Sequence, residues 1–266
     1  MPRLAVLGHP VSHSRSPAMQ NAALAALGLG EEWGYEAIDV APEQFEARVR
    51  ALPGEGFVGA NVTVPHKHAA LAMAEAPTEV AREIGAANTL VFTADVIAAH
   101  NTDADGFLAA LPASPSGKRA LVLGAGGAAR AVVWGLLREG AEVEVWNRTP
   151  ERAVRLCAEL GGHPIGAAPI ADQGGFELIV NTSAVGLRGE DPFTALPISP
   201  TGFTPAQTVV DMVYGGAPSP LLAAAEAVGA TVVDGLEILV QQGALSLQIW
   251  TEREPSLDVM RAAARG

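Results

Sequence analysis

A chain of 266 residues, 49% hydrophobic and 17% charged, is long enough for two compact α/β lobes and has no disordered or collagen-like signature. Its net charge of −12, with no basic run beyond scattered arginine pairs, excludes nucleic acid and anionic membrane as main partners. The single Cys157 excludes an internal disulfide, and no Cys/His cluster has metal-ligand spacing, so no metal site is expected.

Leu4 to Leu7 reads as a short apolar strand that Gly8-His9-Pro10 breaks, a strand and turn rather than a signal peptide. No apolar segment reaches membrane-spanning length, and a cytoplasmic protein is expected. Ser12-His13-Ser14-Arg15-Ser16-Pro17 then leads into an alanine-rich helix ending near Leu27. Pro17 suits a first helical position with Ser16 as N-cap. Ser14 and Ser16 are also two hydroxyls at a helix start, where an anionic group can sit.

Tyr35 to Val40 is the second strand, and Pro42 to Leu52 a helix. Phe57-Val58-Gly59-Ala60 opens a third strand that runs into Asn61-Val62-Thr63-Val64-Pro65-His66-Lys67. Alternation places Val62 and Val64 on one face and Asn61 and Thr63 on the other. Pro65 cannot continue a central strand, so Lys67 should open the next element beyond the sheet edge. An amide, a hydroxyl and an amine thus converge at a carboxyl strand end, where open α/β sheets bind ligands. Only Lys67 and Lys118 are lysine among the 17 basic residues. Lysine can give and take a proton, whereas arginine stays charged. Lys67 fits equally well as a surface lysine closing a turn. His66 and His68 flank it at a spacing that points them apart on a helix, and are read as non-ligands.

A helix over Lys67 to Ala74 and another from Thr78 follow, then a strand, Ala86 to Phe92, with Asn88 at its start. The apolar segment Val96 to His100 ends in Asn101-Thr102-Asp103, and Asp103 also suits the cap of a helix from Asp105 to Leu111. Strand alternating with helix predicts a mainly parallel α/β layer. Pro112 to Lys118 is the clearest linker, with a domain junction around it and Lys118 a surface charge.

The second half opens on the strand Ala120 to Leu123, the turn Gly124-Ala125-Gly126-Gly127-Ala128-Ala129-Arg130, a helix to Arg138 and a strand from Glu142 to Trp146. This is the dinucleotide-binding βαβ unit, with Gly124 for the tight turn, Gly126 for close approach of the pyrophosphate and Ala129 in the third glycine position. A free ribose 2′-hydroxyl usually meets an acid at the second strand end, but here the corner is Asn147-Arg148-Thr149. Arg148 offers a planar fork for a 2′-phosphate, with Asn147, Thr149 and Arg152 in support, which favours NADP over NAD. Thr149-Pro150 also suits the start of a helix from Glu151 to Leu160. Strands at 178–180, 208–210 and 231–233 end in Asn181-Thr182-Ser183, Asp211-Met212-Val213-Tyr214 and Asp234-Gly235, where such a sheet presents loops to the nicotinamide half. The Pro- and Gly-rich stretch from Val185 to Pro205 is read as a long loop open to movement. An apolar helix from Leu236 to Trp250 carries Gln241-Gln242, two amides that need a polar partner if they face the core. A closing helix, Ser256 to Ala264, is expected to pack back on the first domain.

Taken together, Ser12 to Pro17, Asn61 to Lys67, Ala87-Asn88-Thr89, Asn101-Thr102-Asp103, Gly124 to Arg130, Asn147-Arg148-Thr149, Asn181-Thr182-Ser183 and Gln242-Gly243-Ala244 resemble, in order, the motifs of shikimate dehydrogenases. The resemblance runs from about residue 4 to residue 250, and the segment ending Val64-Pro65-His66-Lys67 is its most specific part. It implies reversible reduction of 3-dehydroshikimate to shikimate by NADPH, on the way to chorismate and the aromatic amino acids. Carried over by position, it makes Lys67 and Asp103 the catalytic pair and Ser14 and Ser16 the grip on the substrate carboxylate. It also implies Thr63, Asn88, Asp103 and Gln242 around the ring hydroxyls with Tyr214 nearby, and Asn61 counts among the substrate-binding residues. Gly124, Ala125, Gly126, Gly127, Ala128, Asn147, Arg148, Thr149, Arg152, Thr182, Ser183, Met212, Gly235 and Glu79 fall to the cofactor. One departure is Leu247, near which the resemblance leads one to expect an aromatic.

Two relatives compete with this reading: a quinate/shikimate dehydrogenase with broader substrate and cofactor use, and a folate-linked dehydrogenase, in which the paired serines have no job. A third alternative is a catalytically silent NADP-sensing module, which the presence of both Lys67 and Asp103 argues against. The expected architecture is a substrate-binding catalytic domain of residues 1–103 plus 237–266 and an NADP-binding Rossmann domain of 104–236, with the site in a cleft that closes for hydride transfer. The expected assembly is a monomer or a homodimer.

Overall fold

The computed structural model describes residues 1–93, 95–166, 168–170, 172–215 and 219–266. It divides into two compact units, residues 1–106 with 239–266 and residues 107–238.

In chain order the first unit contains β1 (Arg3–Gly8), α1 (Ser16–Ala26), β2 (Gly34–Asp39), α2 (Phe45–Ala51), β3 (Phe57–Val62), α3 (Lys67–Met73), β4 (Ala76–Pro77), α4 (Glu79–Ile84), β5 (Thr89–Phe92) and β6 (Ile97–His100). Helix α5 (Asp103–Ala110) carries the chain across the unit boundary. The sheet order is β2-β1-β3-β5-β6-β4. Strand β1 lies parallel to β2 and β3, because helical crossovers return the chain each time. Strand β5 runs antiparallel to both β3 and β6, the one reversal in an otherwise parallel layer. A short turn causes it, with Thr93 N donating to Val96 O at 3.0 Å.

The second unit contains β7 (Arg119–Leu123), α6 (Gly127–Arg138), β8 (Glu142–Trp146), α7 (Pro150–Leu160), β9 (His163–Pro164), β10 (Leu178–Asn181), α8 (Pro192–Ala195), β11 (Thr208–Asp211), α9 (Pro220–Ala227) and β12 (Thr231–Asp234). Its sheet, β12-β11-β10-β7-β8-β9, is parallel at every pairing. Such sheets are covered on both faces. Accordingly Ala120 and Val122 of β7 enter one core and Leu121 and Leu123 the other. Burying each such leucine contributes about 1.5–3 kcal/mol.

Helix α10 (Gly235–Thr251) returns the chain to the first unit, and α11 (Leu257–Arg265) packs on α1. Ser256 starts α11 by accepting a hydrogen bond from Val259 N, and Met260 and Ala264 are its buried residues.

Several local expectations change. Strand β3 stops at Val62, and Val64, expected on the same face, is 63% exposed. Thr63 N makes the last ladder bond, to Leu7 O at 2.8 Å, and the chain then leaves the strand in a turn that His66 N closes onto Thr63 O at 2.9 Å. Helix α1 begins at Ser16 with Arg15 at the cap, so Ser16 is not the N-cap, and Ser14 Oγ instead accepts from Ser16 N at 3.2 Å. Asp103 is the first residue of α5 rather than the cap of a later helix, because Asn101 Oδ1 takes the N–H groups of Asp103 and Ala104. Thr149 stands at the N-cap of α7 but makes no side-chain cap bond.

The unit boundary falls at Gly106, ahead of the Pro112–Lys118 segment, which belongs to the second unit and bonds there through Gly117 N to Gly140 O. Far from a free loop, the stretch 185–205 sinks Leu196, Ile198 and Phe203 into the core and forms α8. Helix α9 was not expected, although Ser219-Pro220 before Leu221 and Leu222 is a recognisable start. The two-residue strands β4 and β9 each hold a proline and lie at sheet edges, so no alternating pattern announces them.

Candidate active site

In the first unit the chemistry-bearing residues collect where β3 and β6 end and the antiparallel β5 begins. His66, next to Lys67, anchors the turn after β3. Its Nε2 hydrogen-bonds Val40 O at 2.7 Å, and its ring stacks on Phe45 with centroids 4.4 Å apart. Burial holds the His66 imidazole below its ordinary pKa, as it does His100. With His66 fixed, Lys67 opens α3 and its Nζ donates to Asp103 Oδ2 at 2.6 Å. Both side chains are nearly buried, 12% and 7% exposed.

Asn88 organises the other carboxylate oxygen. Its Oδ1 accepts from Thr102 N at 2.8 Å, a donor that cannot be turned round. The amide is thereby forced to point its Nδ2 at Asp103 Oδ1 (3.1 Å), Gln242 Oε1 (3.0 Å) and Thr102 Oγ1 (2.9 Å). Gln242 comes from α10, where its Nε2 also donates to Leu239 O at 2.8 Å. Gly106 permits this approach, because a Cβ there would lie 2.6 Å from Gln242 N.

Asn61 lies one layer deeper. Its Oδ1 accepts from Tyr35 Oη at 2.7 Å, and its Nδ2 meets Asn88 O, Thr89 Oγ1 and Ser246 Oγ. These partners occupy the whole amide, so it props Asn88 rather than facing outward. Thr89, Thr102 and Ser246 form a buried hydroxyl cluster under the same amides. Sequence reading did not single out these three or Tyr35. Only the i, i+4 step from Gln242 to Ser246 on a helix hinted at Ser246.

The loop after β1 lies beside the turn after β3. His9 N donates to Val64 O at 3.0 Å, and Gly8 leaves room for the Thr63 methyl, which a Cβ would meet at 2.4 Å. Ser14 N closes that loop onto Val11 O. Among the described residues, the hydroxyls of Ser16 and Thr63 donate to and accept from no protein group, and neither joins the Lys67 network. Glu79, the first residue of α4, is exposed in this unit, apart from the other cofactor candidates.

The remaining candidates lie in the second unit. Gly124 ends β7 with φ +127° and donates its N–H to Trp146 O at 2.7 Å. A Cβ there would strike Thr182 Oγ1 at 2.5 Å, so glycine is required on two counts. At Gly126 an added Cβ would meet nothing within 4 Å, so the backbone faces open space. That residue caps the 12-residue helix α6 with no side-chain bond to the first N–H groups, leaving donors and a positive helix end for a pyrophosphate. Gly127 and Ala128 open α6 after the turn residues Ala125 and Gly126, and Ala129 is buried where a third glycine often stands.

At the end of β8, Asn147 Nδ2 donates to Thr149 O at 2.8 Å. Arg148 and Arg152 are exposed and, among the described residues, their guanidinium groups bond no partner. Two unpaired guanidinium groups and no acid at this corner fit a 2′-phosphate. Thr182 Oγ1 donates to Leu123 O at 3.0 Å, and Ser183 folds onto Asn181 Oδ1. Gly235 lets the β12–α10 turn lie on Met212 O, which a Cβ would reach at 2.5 Å. Tyr214 stands in this second unit, unlike the other substrate candidates.

Family comparisons agree with both units. Models described as the shikimate dehydrogenase substrate binding domain, shikimate / quinate 5-dehydrogenase and the shikimate 5′-dehydrogenase C-terminal domain match residues 6–90, 109–176 and 235–265. The shikimate dehydrogenase (NADP(+)) of Thermus thermophilus is 44% identical over 267 residues, covering 100% of this chain and 98% of that protein. The chain belongs to the shikimate dehydrogenase family. A Thermus thermophilus enzyme solved in complex with NADP(H) and shikimate superposes with TM-score 0.89 at 43% identity, covering 100% of this chain and 99% of that one. The shikimate dehydrogenase of Aquifex aeolicus gives TM-score 0.92 at 35% identity, covering 100% and 98%.

Within that family framework, one network in the first unit gathers Asn61, Lys67, Asn88, Asp103 and Gln242. Ser14 and Thr63 lie on adjoining loops and Ser16 opens α1; the hydroxyls of Ser16 and Thr63 are unengaged and Ser14 Oγ accepts only from Ser16 N among the described residues.

Proposed function

We infer that this chain is an NADP-dependent oxidoreductase that reversibly reduces 3-dehydroshikimate to shikimate in chorismate and aromatic amino-acid biosynthesis. The carrying observation is the nearly buried Lys67–Asp103 pair at 2.6 Å. NADPH, when bound to the glycine turn and the Arg148 corner, supplies the hydride. The new alkoxide oxygen must then gain a proton, and the reverse reaction must remove it. Lys67 carries that proton. Asp103 holds Lys67 in place with one oxygen and stays fixed by Asn88 through the other.

Ser14 and Ser16 take the substrate carboxylate, since both present hydroxyls at the start of α1. Thr63, Asn88 and Gln242 meet the ring hydroxyls, Tyr214 is assigned to the substrate as well, and Asn61 fixes Asn88 from behind. Gly124 to Ala128 cradle the pyrophosphate, and Asn147, Arg148, Thr149 and Arg152 hold the adenosine 2′-phosphate. Thr182, Ser183, Met212 and Gly235 border the nicotinamide end, and Glu79 completes the cofactor set. Substrate binding is assigned to residues 1–103 with 237–266 and NADP to 104–236. No helix among the described residues is long and apolar enough to cross a membrane. We place the enzyme in the cytoplasm, as a monomer or homodimer that binds neither nucleic acid nor membrane.

Initial rates with shikimate and with quinate, each with NADP and NAD, test this reading. Fast turnover is expected for shikimate with NADP alone. A quinate rate rivalling it identifies the broader-specificity relative. Tight NADPH binding without turnover of any pair identifies a sensing module.

A further inference from the structure

Asp211 is a carboxylate that the chemistry above does not use, and it is 3% exposed at the carboxyl end of β11. Its Oδ1 accepts from Asn181 Nδ2 at 2.9 Å and from Val213 N at 3.1 Å, while Oδ2 accepts from the Ser219 hydroxyl. Asn181 is engaged in turn. Its Oδ1 accepts from Ser183 Oγ at 2.7 Å and Ser183 N at 3.1 Å, and its Nδ2 reaches Val185 O. One side chain therefore ties together the turn after β10, the stretch after β11 and the cap of α9. Burial pushes the Asp211 carboxyl above its ordinary pKa. An isolated polar group in this position is costly, and a sheet that needed only packing would hold an apolar residue here. The segments it joins carry Thr182, Ser183 and Met212.

We propose that Asp211 is a positioning residue for the nicotinamide end of the cofactor site, holding Asn181 and Val213 together so that Ser183 and Met212 keep the arrangement hydride transfer requires. The inference rests on reading this unit as the NADP-binding half. Asp211→Ala removes all three bonds. It should lower kcat/KM for NADP by about tenfold or more, with the KM for shikimate little changed. Asp211→Asn is the rescue. Its amide oxygen keeps the Asn181 and Val213 bonds, and its NH2 donates to Ser219 Oγ, whose own proton turns outward. Most of the lost kcat/KM should return, and the NADPH Kd, read from nicotinamide fluorescence, should follow the same order. Ser219→Ala cuts the bond to Asp211 and the α9 cap bond from Leu222 N, leaves the Asn181 and Val213 bonds of Asp211 in place and should raise the KM for NADP by a smaller factor.

A folded Asp211→Ala with unaltered NADP kinetics overturns the proposal. So does Asp211→Asn as damaged as Asp211→Ala, which would make the charge and not the geometry the cause. If Asp211→Ala does not fold, an unchanged KM for NADP in Ser219→Ala overturns it instead. The unaltered enzyme is assayed alongside: absence of shikimate turnover there counts against the functional reading, whereas normal turnover with indifferent variants counts against Asp211 alone.

Discussion

Replacing Lys67 by methionine separates its structural from its chemical work. Methionine replaces the aliphatic stem as far as Cε, so the change removes the ammonium group with its charge and the bond to Asp103 Oδ2. Asp103, 7% exposed, then loses Lys67 as its salt-bridge partner but keeps the Asn88 N–H and its place at the start of α5. Breaking a buried pair from one side costs about 3–5 kcal/mol, and the surviving donor puts this case at the lower end. Loss of the proton carrier should cut kcat on the order of 10²–10⁴-fold, or about 2.7–5.5 kcal/mol of barrier. The assay combines urea unfolding with initial rates of shikimate oxidation and NADPH binding, which should stay near wild type because the nucleotide candidates, Glu79 apart, lie in the other unit. The double variant Lys67→Met/Asp103→Leu closes the argument. Removing both charges should recover much of the stability, as apolar replacement of buried pairs does, while turnover stays lost. Turnover within tenfold of wild type in Lys67→Met, or its return in the double variant, would refute the assignment of Lys67 as proton carrier.

Three further outcomes follow from the geometry. In Gly106→Ala the added Cβ meets Gln242 N, Cα and Cβ at 2.6–2.7 Å, which backbone cannot evade. The clash costs about 1–3 kcal/mol and outweighs the roughly 1 kcal/mol of helix propensity gained, so thermal stability should fall and the KM for shikimate rise. Arg148→Ser should lower kcat/KM with NADP by about ten- to a hundredfold, from the loss of a charge-assisted bond of about 1.5–3 kcal/mol, and leave NAD kinetics nearly unchanged. His66 and His100 are held neutral by burial, below the ordinary value of 6.5, so the unfolded chain binds more protons than the folded one as pH drops past that value. Stability present above pH 6.5 should therefore decline on acidification, and His66→Leu should flatten this dependence in urea unfolding across pH.

The sequence announced the second unit more fully than the first. Its sheet is parallel and covered on both faces, so its central strands β7, β10 and β11 carry apolar runs, and Gly124 of the turn has a fixed steric task. In the first unit the place of β5 beside β3 and of the two-residue β4 beside β6 depends on pairing partners distant in sequence, which no local pattern encodes. The site shows the same division. Lys67 stood out by rarity and by its place after a strand end. Asn101 as a cap, Tyr35 behind Asn61 and the cluster of Thr89, Thr102 and Ser246 did not, because serine and threonine inside strands and helices look like ordinary polar positions until the fold sets them face to face.

That hidden cluster explains how the catalytic pair keeps its geometry. Asn88 could in principle present either end of its amide to Asp103. The Thr102 N–H decides which, and the hydroxyls of Thr89 and Thr102 add donors to the same Oδ1. Ser246 closes the cluster from α10 by accepting from Asn61 and donating to Gln242 O, one turn away from the side chain that meets Asn88. Beside it Leu247 fills the core fully buried, so the expected aromatic is not needed for packing. With every amide orientation set by a donor or acceptor that cannot rotate, Asp103 and Lys67 are aligned by the folded chain itself. Substrate binding then has no side chains of this network to order, and more of its free energy remains available to the transition state.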